Sequence, residues 1–169
     1  MAGVTYGNLT VQDGSTRAFA GNATVAGQMS VASGSTVNDA AVTLTLNKNL
    51  ANNGIINAQG MNLVFTDAAA QLSGSGTTTI KDLTVNAGAA LAVGKDISLH
   101  GNITSNGTGF TVAANKVTMA GGSAASISGT AAPAIHHLVI SKTGAATAVT
   151  LGANVAGVHT LEVSTGTLN

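Results

Sequence analysis

A three-residue pulse recurs along the whole chain: an apolar residue, most often Thr or Ser, and a second apolar residue. Leu9-Thr10-Val11, Ala23-Thr24-Val25, Met29-Ser30-Val31, Leu83-Thr84-Val85, Ile97-Ser98-Leu99 and Val149-Thr150-Leu151 are examples, and Leu161-Glu162-Val163 is the last. Alternation at period two, enriched in β-branched residues, specifies a strand with one side buried. Between pulses stand Asp13-Gly14, Ser33-Gly34, Asn53-Gly54, Asn106-Gly107 and Thr165-Gly166, which suit tight turns and positive φ. Only 67–72 and 113–116 could form a helical turn, and nearby glycines limit each to one. The chain is expected to be all-β.

Composition narrows the class. Ala, Thr, Gly, Asn and Ser fill 103 of 169 positions, while Lys plus Arg and Asp plus Glu number six each. A nucleic-acid binder needs a basic footprint that is missing here, so no nucleic-acid partner is expected. Coiled coils and bundles need Glu, Lys, Leu and Arg in quantity. A hydrophobic fraction of 44% argues against disorder. Without Cys there is neither a disulfide framework nor a thiolate metal site. No apolar run reaches the roughly 20 residues of a membrane span. The first residues lack the basic and apolar regions of a signal peptide, so the chain is either intracellular or a mature or excised segment, and composition favours the second. Few charges and many small polar residues suit an extended, protease-resistant extracellular surface.

Echoes within the chain point to repetition. Leu72-Ser73-Gly74-Ser75 leads to Ile80-Lys81-Asp82-Leu83-Thr84-Val85, and Ile127-Ser128-Gly129-Thr130 leads over the same distance to Ile135-His136-His137-Leu138-Val139-Ile140. Tyr6-Gly7-Asn8-Leu9-Thr10-Val11 repeats the second half. We expect one domain over 1–169, in degenerate units near 1–38, 39–85, 86–140 and 141–169. With three Phe and one Tyr, the chain is poor in the large aromatics of a sandwich core. The expected fold is a right-handed parallel β-helix, or β-solenoid, with a β-sandwich fibre subunit as the alternative. Coils of roughly 20 residues would give about eight rungs, a rod of about 40 Å at the spacing of paired strands.

The stretch 123–140, followed by Val149-Thr150-Leu151 and Leu161-Glu162-Val163-Ser164-Thr165-Gly166-Thr167-Leu168-Asn169, resembles a known family. It is similar to the β-helical repeats of large secreted surface proteins of Bacteroidetes-type bacteria. Those run as an "ISG" step, an apolar-x-x-Leu-x-Ile strand, a "VTL" strand and "GxLxLxSGxL". The resemblance covers 72–169 well and 1–71 loosely. It implies an extracellular stalk, adhesin or fibre component without catalysis.

Site chemistry is sparse. His136 and His137 are adjacent on a strand and point to opposite sides, so a shared metal is not expected. His100 and His159 stand alone, and no metal or other cofactor is expected. The carboxylates Asp13, Asp39, Asp67, Asp82, Asp96 and Glu162 are scattered, and Arg17 is the sole arginine. Catalysis on glycans needs clustered acids, so no enzyme activity and no catalytic residue is expected. Lys81-Asp82 and Lys95-Asp96 suggest charge pairing up a ladder. Thr43-Leu44-Thr45 and Thr77-Thr78-Thr79 are candidates for an ice-binding face, but paired threonines do not recur coil after coil. A carbohydrate-binding or carbohydrate-degrading β-helix, with surface glycans as partner, is the alternative function.

The ends carry the remaining expectation. Residues 1–11 already read as repeat, and 161–169 stop inside one, with no helix or charge cluster over either end. Uncapped strand edges favour pairing with another copy. The self-association residues expected from this reading are Val4, Leu9, Val11, Leu161, Val163 and Leu168. The partner is a second copy, head to tail, or adjoining repeats of a longer chain.

Overall fold

The computed structural model describes residues 3–12, 14–39, 41–144 and 147–169; Asp13 lies outside them. The described residues form twenty strands and no helix, and every strand pairing is parallel. The chain winds as a β-solenoid of about eight turns. Each complete turn lays down three strands, so the rod has three faces.

The first face stacks Val4–Tyr6, Ala23–Val25, Thr43–Leu46, 62–65, 82–85, Ile103–Ser105, Ala125–Ser128, Ala148–Leu151 and Thr167–Leu168. The second starts at Leu9–Val11 and climbs through Met29–Val31, Leu50–Asn52, Ala70–Ser73 and Ala90–Val93. It continues through 109–112 and 134–135 to a bridge at Ala156. The third starts at Thr16–Arg17 and ends at Thr160–Thr165.

The apolar members of each pulse point inward and stack in columns. Leu44, Leu63, Leu83, Ile103 and Ile127 form one, and Val25, Leu46, Phe65 and Val85 another. All nine are fully buried or nearly so. Phe65 and Phe110, the two largest fully buried side chains, sit within the stack and not on its surface.

The echoes in the sequence have a geometric meaning. Tyr6–Val11, Ile80–Val85 and Ile135–Ile140 turn three different corners: first face to second, third to first, and second to third. The repeated unit is therefore the corner, apolar-x-x-Leu-x-apolar, which bends between two inward-facing positions. Any corner of a three-faced coil can use it, so the spacing between copies need not be a whole turn.

Asn and Asp close these corners. Where the ladder breaks, a backbone N–H in one turn has no strand partner, and a side-chain oxygen of the preceding turn accepts it. Asn8 serves Gln28, Asn22 serves Thr43, Asn49 serves Gln71 and Asn102 serves Ser126, across 20 to 24 residues at 2.8–2.9 Å. Asp39, Asp82 and Asp96 do the same for Gly60, Asn102 and Lys116. Gly129 is held by backbone geometry instead: its φ is +125°, and an added Cβ would run into the Ser105 carbonyl.

Candidate functional site

Every interior turn is covered above and below, but the terminal rungs are covered on one side only. Thr160–Thr165 pairs with 137–141, and Val4–Tyr6 pairs with Ala23–Val25. Leu161 continues the buried column of Val117 and Leu138, yet is 51% exposed. Val163 continues Met119 and Ile140 and is 47% exposed. These two are core residues by position and surface residues by accessibility. Around them Leu151, Val158 and Leu168 help line an open groove of about 910 Å³.

Of the six residues expected from the sequence, Val4, Leu161 and Val163 are exposed. Leu9 and Leu168 are half-buried against the core, and Val11 is buried. Leu151 and Val158 are further exposed apolar residues of the last turns, which the sequence reading did not single out. The pulse of Leu151 looks like any other, and only its lack of an upper neighbour distinguishes it.

The two ends differ, where the sequence led us to expect both to be bare. At the first rung Arg17 pairs with Val37 and so holds the register of a core column, while Tyr6 and Phe19 pack against the core. A cation and two aromatics thus sit at the first rung, where the core positions of the last rung hold Leu161, Val163 and Leu168. The N-terminal groove, lined by Val4, Tyr6 and Phe19, is smaller at about 380 Å³.

The charged groups are drawn into structure. Lys81 lies 3.6 Å from Asp82, and Lys48 pairs with Asp67 at 2.6 Å, across adjacent turns. The Lys48 contact, then the Ala69 amide, holds the Asp67 carboxyl below its usual range. Lys95 departs from the expected ladder of ion pairs. Its ammonium is buried and donates to the Asn52 carbonyl, while Asp96 accepts the Lys116 amide instead. The corner puts Lys95 inside the coil and Asp96 outside, so neighbours in sequence cannot meet. Lys142 is likewise buried and donates to the carbonyls of Ala120 and His100. Burial pulls both lysines down, and pulls down His100, helped by the nearby Lys142 charge against the opposing effect of Asp39.

His136 and His159 stack at 4.3 Å between ring centroids, at the corner joining the last turns. The buried Nε2 of His137 has no partner among the described residues. No three His, Asp or Glu side chains converge as a metal site among the described residues, and no helix is long and apolar enough to cross a membrane. Comparisons with protein-family models, with curated proteins and with solved structures find no match to this chain.

Proposed function

We propose that this chain is an extracellular structural element, a β-solenoid segment of a filament or surface stalk that adds further rungs at its ends. The observation that carries the reading is the exposure of Leu161 and Val163 at the top of columns that are buried everywhere below. Exposed large apolar side chains grouped on one surface mark an interaction site. The natural occupant of an open rung is another rung, because backbone groups and apolar columns then continue together. In a head-to-tail contact a second copy supplies Val4–Tyr6, Leu9–Val11 and Thr16–Arg17. Continuing the register of the third face sets the incoming Arg17 over Leu161 of the copy below and Ala18 over Glu162. Such a contact does not close on itself and so propagates.

The resemblance to secreted surface repeats supports placement outside the cell and an adhesive or spacing role. A non-catalytic role is supported by the occupation of the acids: Asp39, Asp82 and Asp96 cap backbone amides, Asp67 pairs with Lys48, and Glu162 accepts from Ser164. The glycan-binding alternative draws little support from the aromatics, since Phe65 and Phe110 are buried and Tyr6 and Phe19 are half-buried against the core.

Sedimentation over a range of concentrations tests the proposal. Association of the unmodified chain, lost on Leu161→Lys with Val163→Lys while circular dichroism keeps the β signal, is the expected result. A chain that stays monomeric throughout would overturn the head-to-tail contact.

A further inference from the structure

The last rung of the third face has little to hold it. All residues of Thr160–Thr165 are exposed, and so are Gly157, Val158 and His159, which lead into it. The rung rests on its ladder to 137–141, on the bond from the His159 amide to the His136 carbonyl at 2.9 Å, and on a ring contact. In that contact His159 lies flat on His136, with 4.3 Å between centroids and 17° between planes. The stack thus joins the rung to the covered turn beneath at the corner where the rung begins.

The groups around the stack are mostly basic. His137 follows His136 on the strand, and Lys116 pairs with His137 one turn below. The Asp96 carboxylate accepts the Lys116 amide, and Glu162, on the rung of His159, accepts from the Ser164 hydroxyl. Lys142, beyond the far end of the strand, is buried against the carbonyls of Ala120 and His100. Among the described residues no carboxylate forms an ion pair with either stacked ring.

We propose that the His136–His159 stack is an acid-released latch on the last rung, docked when the rings are neutral and opened when both are protonated. Imidazole is the side chain whose charge changes between pH 5 and 8. Two imidazolium rings held 4.3 Å apart repel each other, and Lys116 adds to the positive charge at the corner. Once the rung is released the rings take up their protons apart. Proton uptake therefore favours release, and docking is lost as pH falls. Leu161 and Val163 lie on the rung that the latch holds. On the head-to-tail reading, acid also parts the copies. That consequence rests on the proposed function, whereas the latch itself does not.

Amide exchange on the dilute, unassociated chain tests the latch, at about pH 7.5 and about pH 5 and corrected for the intrinsic effect of pH. Protection over 159–165 should fall about fivefold or more at the lower pH, the factor that two unit charges at this distance give even in water. Ile103–Ser105, paired on both sides, should keep its protection. His159→Phe preserves a flat ring and His159→Gln a polar side chain, both neutral throughout, and protection in these variants should not fall with pH. Undiminished protection of the unmodified chain at acid pH, or an equal loss in the neutral variants, would overturn the proposal. Sedimentation at about pH 7.5 reads the association separately: a chain that stays monomeric yet shows the acid release loses the head-to-tail contact and keeps the latch.

Discussion

The ammonium of Lys95 donates to the carbonyl oxygen of Asn52 at 3.2 Å, across 43 positions and two turns of the coil. Lys142 repeats the arrangement, reaching His100 two turns below at 3.5 Å and Ala120 one turn below. In both cases a buried cation is met by backbone dipoles, with no paired carboxylate among the described residues. Carbonyl oxygens offset part of the cost of burial, and the residual cost shows in the lowered proton affinity of both groups.

That cost sets a pH dependence. Each lysine releases its proton more readily folded than unfolded, where its value is the usual 10.5. Between the lowered folded value and 10.5 the unfolded chain binds more protons, so stability rises with pH across that window. It is lost again as pH falls through the folded value. Urea midpoints measured from pH 7 to 10 should climb, and Lys142→Met should flatten the climb. A midpoint that falls over this range would contradict the assignment.

The corner amides predict a local effect. Asn102→Ala removes the acceptor of the Ser126 N–H and hydroxyl, at 2.8 and 3.1 Å. The expected loss is about 1 kcal/mol, with faster amide exchange at Ser126. Unchanged exchange there would show that water serves the corner equally well.

Backbone geometry gives a paired comparison. Gly129→Ala meets both a positive φ and the Ser105 carbonyl, whereas Gly88→Ala meets a positive φ with open space around it. Thermal unfolding should show a loss of about 1 kcal/mol for Gly88→Ala and clearly more for Gly129→Ala. Equal losses would remove the steric part of the argument.

Much of the fold is legible because the pulse does two jobs. In Leu83-Thr84-Val85 the outer residues mark the core and the middle one marks the surface, and both assignments hold. Lys95 and Lys142 are not legible, since a lysine reads as solvated unless its corner is known to turn inward. The difference between the ends hides in Arg17: only its pairing with Val37 reveals that it occupies a core register.

The junction puts a cation in a core register. Stacking sets Arg17 of one copy over Leu161 of the next, so Arg17→Leu should strengthen association by removing the cost of covering a charge. Weaker association of this variant, in sedimentation, would contradict that register.

The head-to-tail contact is tested most directly by cross-linking, since the chain has no native cysteine to interfere. Ala18 follows Arg17 and falls on the column of Asn38, which climbs by way of Val139 to Glu162. Stacked copies would bring Ala18 of one and Glu162 of the other to about 4.8 Å, within reach of a disulfide. Ala18→Cys and Glu162→Cys chains, mixed under mild oxidation, should give a mixed dimer in preference to either self-dimer. A random mixture of the three dimers, or no dimer at all, would contradict the head-to-tail assembly.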